Sequence, residues 1–406
     1  MNNKKLKVLD NSNSIINEYF ENNICSNNKK LKKFIKLFKS YFNIPYLSFI
    51  FKDFNNYYDF KKKIFGIFKI DIKNKNLYYK GFIVFCSNII QQIKIRNVDF
   101  NCFNNIDKQY LFFIDFLKEL YTYYNRKLKE SNYLDFEDII NEATNCLADR
   151  KLNYKYVIVD EYQDISMQRF KLLKKVSDVS NSKVIVVGDD WQAIYNFSGS
   201  DINLFTNFYM FFGYASVLKI TRTYRNSQQL IDIAGNFIMK NDKQIKKKLI
   251  SSKTLSDCLE IVFYTNDRIK KLHYCLNDII TKYGNNQKIL LLGRYAFDIN
   301  KYIGNYFKIN DNKITSIKYP FLDITFLTVH SSKGLGFDQV IILNCNDEVY
   351  GFPSKIVDNY FVTLINNNCQ IEEERRLFYV ALTRTKNKVY ILSAKSNLSS
   401  FVLELK

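Results

Sequence analysis

From residue 156 onward, short apolar runs that end in polar or acidic residues alternate with stretches whose apolar residues recur at helical spacing. The apolar runs predict buried strands at residues 156–159, 184–187, 289–292, 324–329, 340–343 and 389–392. The helical spacing predicts helices at residues 167–176, 228–239, 267–282 and 372–383. Such alternation implies open α/β sheets with parallel strands, and ligands of these sheets bind beyond the carboxyl ends of the strands.

The first 130 residues or so have a different texture, rich in Lys, Asn and aromatic residues. Residues 29–39 place Leu31, Phe34, Ile35 and Phe38 on one helical face and lysines toward the rest. Such a helix either lines a nucleic-acid path or is an ordinary amphipathic surface helix, and the pattern alone favours the second interpretation.

Length, composition and charge indicate the number of domains and the kind of partner. A chain of 406 residues predicts two to three domains, and 47% hydrophobic residues argue against disorder. Lys and Arg total 60 against 40 Asp and Glu, so the formal net charge of +20 favours a polyanionic partner such as DNA or RNA. A chain heavy in Lys, Asn, Ile, Tyr and Phe also arises from an AT-rich coding sequence, which explains the charge equally well.

The cysteines and histidines give no sign of a zinc site. The eight cysteines form no CxxC pair, and His273 and His330 are the two histidines. The sequence has no signal peptide and no uninterrupted apolar run of about 18 residues or more. We therefore predict a cytoplasmic protein with free thiols and no membrane association.

Residues 157–164, Val-Ile-Val-Asp-Glu-Tyr-Gln-Asp, form an apolar strand followed by two adjacent carboxylates. One of them, Asp160, has the chemistry to hold Mg²⁺ while the next, Glu161, orients or deprotonates a water molecule. In isolation, an acidic turn after a strand is common and needs no functional role.

Residues 186–199 again leave a strand and carry a glutamine followed by closely spaced aromatic residues. Gln192 has the chemistry to sense a phosphate. Tyr195 and Phe197 are suited to stacking on nucleic-acid bases, each stack contributing roughly 1 to 3 kcal/mol. A turn bound to the core is the alternative interpretation.

Residues 221–227, Thr-Arg-Thr-Tyr-Arg-Asn-Ser, lead into a predicted helix that Asn226 or Ser227 is suited to cap. Tyr224 beside Arg225 suits a base next to a phosphate. A capped helix with a solvated arginine explains the segment equally well.

These three segments, in this order, resemble the UvrD/Rep-like superfamily 1 DNA helicases, and residues 189–199 are especially similar to the helicase IV branch. Residues 328–338 and 373–384 resemble the fifth and sixth motifs of the family, and residues 134–140 resemble a phrase that precedes its Walker B strand. The resemblance covers about residues 130 to 395.

The resemblance implies an α/β fold with tandem RecA-like (P-loop NTPase) domains and parallel sheets, the first domain incomplete, plus a mainly helical N-terminal segment. It divides the chain into three parts. Residues 1–130 correspond to a helical subdomain inserted into the first motor domain, residues 131–222 to a partial first RecA-like domain, and residues 223–406 to the second.

The resemblance also implies an ATP-dependent 3′-to-5′ DNA helicase that uses ATP and Mg²⁺. Asp160 and Glu161 would form the metal site, and Glu161 would also act as the catalytic base or position the attacking water. Gln192, Arg225 and Arg384 would contact the γ-phosphate. The other nucleotide-binding residues would be Tyr224, which stacks on adenine, and Gly334 and Gly336. Many relatives have a ribose-binding Glu where this chain has Gly336.

Single-stranded DNA or a 3′-tailed duplex is the implied nucleic-acid partner. The residues implied to contact DNA are Tyr195, Phe197, Thr328, His330 and Ser331. Residues 328–333 would couple DNA to the nucleotide cleft.

One part of the family pattern is not found. Gly66 and Gly81 are the glycines before Gly188, and neither lies in a GxxxxGK[ST] sequence, the Walker A loop that wraps phosphates. We expect the chain to start after this loop, to expose a sheet edge, and to work with a separate chain that supplies Walker A. A non-catalytic binding protein for single strands, and an RNA-directed helicase, are the alternatives.

Overall fold

The computed structural model describes residues 7–8, 12–20, 22, 77–103, 108–148, 150–356 and 370–405. The helix predicted at residues 29–39 lies outside these residues. The chain forms two compact units. The first comprises Met1–Val157 and Ser166–Lys183, and the second comprises Ile158–Ile165 and Val184–Lys406. The three-part division predicted at residues 130 and 222 stays a prediction.

The first unit is mainly helical in its described part. Its helices are α1 (Asn13–Tyr19), α2 (Leu77–Arg96), α3 (Lys108–Ser131), α4 (Phe136–Cys146) and α5 (Met167–Ser180). Two short strands, β1 (Lys7–Val8) and β2 (Tyr133–Leu134), pair in parallel. Long helices with one apolar face bury that face against each other, and the buried side chains include Tyr19, Phe20, Ile89, Ile93, Leu117 and Leu120.

Asp135 joins three of these helices. Its carboxylate caps α4 by accepting from the Asp138 N–H at 2.8 Å, and it also accepts from Lys94 Nζ at 2.6 Å and from the Tyr124 hydroxyl at 3.1 Å. Lys94 lies on α2 and Tyr124 on α3. The phrase at residues 134–140 therefore has a structural role here, because a buried charge of this kind is stable when it is paired and hydrogen-bonded.

Strands β3 (Tyr156–Val159) and β4 (Lys183–Val186) form a two-stranded sheet. The Val187 N–H donates to the Val159 carbonyl at 2.8 Å. Burial alternates along both strands, and Ile158 is 69% exposed, with Ile185 and Val187 also exposed. One face of this two-stranded sheet therefore carries apolar side chains exposed to solvent, and the predicted exposed sheet edge stays a prediction.

The second unit is built on a seven-stranded sheet in the order β5-β11-β10-β6-β9-β8-β7. Its strands are β5 (Leu259–Tyr264), β6 (Lys288–Gly293), β7 (Phe307–Asn310), β8 (Lys313–Ser316), β9 (Asp323–Thr328), β10 (Gln339–Ile342) and β11 (Val389–Ala394). Strands β5, β11, β10, β6 and β9 run parallel to one another. At one edge of the sheet, β8 pairs antiparallel with β9, and β7 pairs antiparallel with β8. Every residue of the central strand β10 is buried.

Helices cover both faces of this sheet. Leu290 and Leu292 pack in one cluster with α8 (Gln228–Ile238) and α10 (Gln370–Leu382). Ile289 and Leu291 point the other way and pack with α9 (Arg268–Tyr283). The remaining helices of the unit are the short α6 (Asn203–Thr206), α7 (Phe208–Phe212) and α11 (Ser400–Leu403).

The predicted α/β fold with parallel sheets is confirmed. Each predicted strand and helix from residue 156 onward overlaps an observed element. Strands β5, β7 and β8 were not predicted. Within the described residues, no helix combines the length and apolar character needed to cross a membrane.

Candidate functional site

A tight turn follows β3 and projects two carboxylates into solvent. Glu161 adopts the left-handed conformation, with φ of 49° and ψ of 39°, which costs a non-glycine residue about 1 kcal/mol or more. Asp160 Oδ1 accepts from the Glu161 N–H at 2.9 Å, and the Glu161 carbonyl accepts from the Asp164 N–H at 3.0 Å. Both carboxylates are exposed at the carboxyl end of the strand.

This pair fits a magnesium ion, which proteins commonly bind through one or two carboxylates with water and substrate phosphates as the other ligands. In the described part of the chain there is no group of three or more His, Cys, Asp or Glu residues placed to hold a metal ion. Asp160 and Glu161 are suited to hold Mg²⁺, with water or phosphate oxygens as its other ligands.

A continuous series of hydrogen bonds joins Glu161 to Arg384. The buried Gln163 donates its amide to Glu161 Oε2 and accepts from the Asp189 N–H at 3.0 Å. Asp189 Oδ2 accepts from Gln192 Nε2 at 2.7 Å, and Gln192 Oε1 accepts from the Arg384 guanidinium at 3.2 Å. We call these five residues the Glu161–Arg384 relay.

The relay depends on a glycine. A Cβ atom at Gly188 would lie 2.4 Å from Gln163 Oε1 and 2.9 Å from the Phe205 ring. Both distances are shorter than a nonbonded contact allows, so a larger residue at this position displaces Gln163 from the relay.

Arg384 is a buried cation with neutral hydrogen-bond partners. Its guanidinium donates to the Val380 carbonyl at 3.0 Å, the Leu335 carbonyl at 3.4 Å and the Gln192 side chain. Burial, and then the charge of Arg225, lower its pKa to about 10, so it stays charged at pH 7. Two guanidinium groups close enough to repel each other favour an anion such as a phosphate between them.

Gly336 lies beside this arginine pair. A Cβ atom there would be 3.6 Å from Arg225 Nε. Tyr224 and Arg225 are both exposed, immediately before α8, and Gly334 has a positive φ of 80°. Ser227 caps α8 by accepting from the Leu230 N–H at 3.4 Å, as the sequence suggested. The structure thus places Arg225, Gly336 and Arg384 together.

The turn that carries Gln192 is held in place by contacts with Lys247 and Ile245. Lys247 pairs with Asp189 and, at 3.3 Å, with Asp190, and its amine lies 4.4 Å from the Trp191 ring centroid. Asp190 also accepts from the Ile245 N–H at 2.8 Å. Burial raises the pKa of Asp190, and the charge of Lys247 opposes that rise. These contacts fix the turn in which Gln192 lies.

Lys333 joins the acidic turn to the aromatic residues. Its amine donates to Asp164 and, at 2.9 Å, to the Gln192 carbonyl, and it lies 4.8 Å from the Tyr195 ring centroid. Lys333 therefore contacts both the relay segment and a residue predicted to bind DNA.

The predicted DNA-binding residues lie close together. The Tyr195 hydroxyl donates to the His330 carbonyl at 3.3 Å, and the Phe197 ring meets the His330 ring edge-on at 5.3 Å. Phe197 is 61% exposed. Thr328 and Ser331 share a hydrogen bond of 2.8 Å. Burial, and then the charge of Arg294, lower the pKa of His330 to about 4, so it is neutral at pH 7.

Sequence reasoning did not assign roles to Gln163, Asp189 or Lys247. Gln163 and Asp189 lie inside the motifs, but the roles were assigned to other residues of the same motifs, such as Glu161 and Gln192. Lys247 lies among consecutive lysines at residues 246–248, where nothing in the sequence marks one lysine from the next.

Comparisons with known proteins identify the family of the chain. The UvrD/REP helicase N-terminal domain family matches residues 5–213, and the UvrD-like helicase C-terminal domain family matches residues 308–396. The chain is 34% identical over 287 residues to DNA helicase IV of Escherichia coli, a match that covers 69% of this chain and 40% of that protein.

Two further relatives match shorter shares of their own length. The chain is 31% identical over 189 residues to the ATP-dependent DNA helicase Rep of Buchnera aphidicola, covering 45% of this chain and 26% of that protein. It is 23% identical over 279 residues to a probable DNA helicase of Mycoplasma pneumoniae, covering 66% of this chain and 50% of that protein. The chain thus spans at most half the length of these three relatives and belongs to the UvrD/Rep-like helicase family.

Proposed function

We propose that this chain carries the catalytic carboxylates, phosphate-sensing residues and DNA-contacting residues of an ATP-dependent 3′-to-5′ DNA helicase or translocase. Its phosphate-binding loop comes from residues outside these 406, in another segment of the same polypeptide or in a separate chain. The relatives' names, which include DNA helicase IV and ATP-dependent DNA helicase Rep, support the reaction class.

The Glu161–Arg384 relay is the observation that carries this proposal. Its five members, from the acidic turn to the buried arginine, are present and connected by hydrogen bonds. The connected residues include the carboxylate proposed to act on the attacking water and the arginine proposed to contact the γ-phosphate, as ATP hydrolysis requires.

Each residue has a role that follows from its position. Asp160 would hold Mg²⁺, and Glu161 would accept a proton from the attacking water. ATP supplies the phosphoanhydride bond that is cleaved. Arg225 and Arg384 would stabilise the negative charge on the γ-phosphate, and Gln192, held between Asp189 and Arg384, would report its presence through the relay.

Lys333 is suited to couple nucleotide and DNA. It contacts Asp164, Gln192 and the Tyr195 ring, so a movement of Gln192 changes the surroundings of an aromatic residue predicted to stack on a base. Tyr195, Phe197, Thr328, His330 and Ser331 would bind single-stranded DNA or the 3′ tail of a duplex.

ATP hydrolysis by the purified chain, with and without single-stranded DNA, tests the proposal, with Glu161→Gln as the control for contaminating enzymes. We expect turnover to be absent without a loop-bearing polypeptide and to be restored and stimulated by DNA when that polypeptide is added. Turnover by the chain alone, abolished in Glu161→Gln, would show that it holds phosphates without a Walker A loop. Turnover unchanged by Glu161→Gln would overturn the catalytic role.

A non-catalytic protein that binds single-stranded nucleic acid is the second candidate, because the 406 residues contain no GxxxxGK[ST] sequence. It predicts salt-sensitive binding to single strands with no turnover under any condition. Matched DNA and RNA oligonucleotides in the same assay distinguish an RNA-directed helicase of the same family.

A further inference from the structure

One face of α10 lies along residues 191–197, the segment that carries Gln192 and the aromatic residues predicted to bind DNA. Side chains three to five residues apart contact this segment, from the first turn of α10 to the loop just after the helix: Glu373, Arg376, Tyr379 and Arg384. Residues three or four apart on a helix share one face. The helix therefore follows the segment from the proposed phosphate contact to the proposed base contacts.

Glu373 contacts the segment beside Phe197. Its Oε1 accepts from the Asn196 backbone N–H at 3.1 Å. Asn196 is buried and begins the 3₁₀ helix Asn196–Ser198, whereas the neighbouring Phe197 side chain is 61% exposed. A carboxylate makes a stronger hydrogen bond to a backbone N–H than a neutral acceptor does. Glu373 thus fixes the backbone at the residue directly before Phe197.

Arg376 holds the same segment on the other side of Tyr195. Its buried guanidinium donates to the Ala193 carbonyl at 2.7 Å and to Gln244 Oε1 at 3.1 Å. Burial raises the pKa of Glu373, and the positive charge of Arg376 opposes that rise. The two side chains therefore hold residues 193 and 196 against α10, one on each side of Tyr195.

We propose that Glu373 is a positioning residue for nucleic-acid binding, which holds the backbone at Asn196 so that Phe197 presents its ring to a base. The inference rests on the proposed function, which supplies the nucleic acid. A ring that is held in place before binding loses less freedom when a base stacks on it, so loss of the Glu373 hydrogen bond lowers the affinity. Since Arg384 follows α10 and donates to Gln192, this helix joins the base contact to the phosphate contact by a path separate from Lys333.

The test is a double-mutant cycle between Glu373 and Phe197, read out by binding of a labelled oligothymidine of about 15 nucleotides to the full chain at low salt. We expect Phe197→Ala to weaken binding about fivefold or more in the wild-type background, as loss of one base stack does. In the Glu373→Ala background the same substitution should weaken binding by less than about twofold, because the ring is no longer held in place.

Glu372→Ala is the matched control. Glu372 is the neighbouring carboxylate on α10, and within the described residues its side chain makes no hydrogen bond. Its backbone carbonyl accepts from Asn241 at 2.9 Å, a contact that the substitution keeps. Phe197→Ala should therefore retain its full effect in the Glu372→Ala background.

Two conservative variants separate the hydrogen bond from the charge. Glu373→Gln keeps an acceptor oxygen at the same distance along the side chain, so we expect it to bind within about twofold of the wild type. Glu373→Asp keeps the charge that faces Arg376 but shortens the side chain, so it should behave as Glu373→Ala does. This variant also carries the test if Glu373→Ala fails to fold.

A second readout separates positioning from a general loss of structure. A fluorescent base analogue is placed at successive positions of the oligonucleotide, and stacking on a ring quenches it. At the position where Phe197→Ala restores fluorescence, we expect Glu373→Asp to restore it too, with thermal unfolding of the protein unchanged. Glu373→Gln and Glu372→Ala should keep the quenching.

Each outcome decides the matter. Equal effects of Phe197→Ala in the wild-type, Glu373→Ala and Glu373→Asp backgrounds would overturn the positioning role and leave the proposed function standing. Binding by Glu373→Gln as weak as that by Glu373→Asp would overturn the role of the hydrogen bond. A chain whose binding is not weakened by Phe197→Ala, or that binds no single-stranded DNA at low salt, would overturn both the positioning role and the proposed DNA contact.

Discussion

Single residues decide whether the relay forms. Gly188 lets Gln163 pass close to the backbone, so we expect Gly188→Ala to lower the free energy of unfolding by about 1 to 3 kcal/mol. Gly235→Ala is the control, because Gly235 lies inside α8 and its added Cβ would meet Trp191 at an ordinary 3.8 Å. That variant should be more stable by about 0.5 to 1 kcal/mol. Urea unfolding of both variants measures the difference, and equal effects would contradict the close approach at Gly188.

His330 should make stability depend on pH. Its pKa is about 4 in the folded chain against 6.5 for an unperturbed histidine, so the unfolded chain binds more protons between these values. Stability from this residue is therefore present above about pH 6.5 and is lost as pH falls toward 4, by up to about 3 kcal/mol.

The measurement is urea unfolding of the wild type and His330→Gln between pH 4 and 7. We expect the difference in unfolding free energy between them to change across this range and to be flat above pH 7. His273→Gln measures the contribution of the other histidine, whose pKa is also lowered by burial. A constant difference between wild type and His330→Gln would rule out a neutral, enclosed His330.

At this scale, sequence reasoning found the residues that lie in contiguous motifs, such as Asp160, Gln192 and Arg384. It did not find how they are connected. Arg384 follows Gln192 by 192 positions along the chain, and no periodicity or local motif encodes a hydrogen bond between such distant side chains. The connection depends on how the sheet and helices pack.

Among the elements, the edge formed by β5, β11 and α9 is held by a buried cation. The completely buried Lys388 side chain pairs with Glu260 at 2.6 Å, Asp257 at 2.7 Å and Asp278 at 3.5 Å. Removal of the amine leaves three carboxylates facing one another, so we expect Lys388→Met to cost about 3 kcal/mol.

Lys282 provides the comparison, since it pairs with two of the same carboxylates, Asp257 and Asp278, but its side chain is 42% exposed. We expect Lys282→Met to cost less than about 1 kcal/mol. Thermal or urea unfolding of both variants checks this order. A larger cost for Lys282→Met would contradict the account of the buried cation.

The strands that were predicted from the sequence are those with an uninterrupted apolar run. Strand β10 is buried at every residue and β6 at every residue after the exposed Lys288, so both apolar runs were clear. Strands β7 and β8 carry exposed Lys308 and Lys313 and turn at Asp311, which has a φ of 52°. Polar residues dominate that hairpin, and its apolar residues are too few to mark strands. Strand β5 was missed although its sequence, LEIVFY, is strand-like, because Glu260 interrupts the run.

For the whole molecule, the fold class followed from the alternation of strand and helix patterns, and the family followed from the order of the motifs. The matches at residues 5–213 and 308–396 bear out that family. The roles of the site residues, the direction of translocation and the source of the phosphate-binding loop stay proposals. These roles concern contacts with nucleotide and DNA, which the packing of the chain on itself does not determine.

Discrimination between ATP and ADP tests the central claim, that this chain senses the γ-phosphate. The affinities of a non-hydrolysable ATP analogue and of ADP, each with Mg²⁺, are measured by calorimetry for the full chain together with the loop-bearing polypeptide. Arg384→Ala is compared with Lys386→Ala, a cation in the same loop whose side chain is 54% exposed. We expect the analogue to bind at least about tenfold more tightly than ADP, a difference of about 1.4 kcal/mol. The preference should be lost in Arg384→Ala and kept in Lys386→Ala. Equal affinities in the wild type, or a preference that survives Arg384→Ala, would contradict the account.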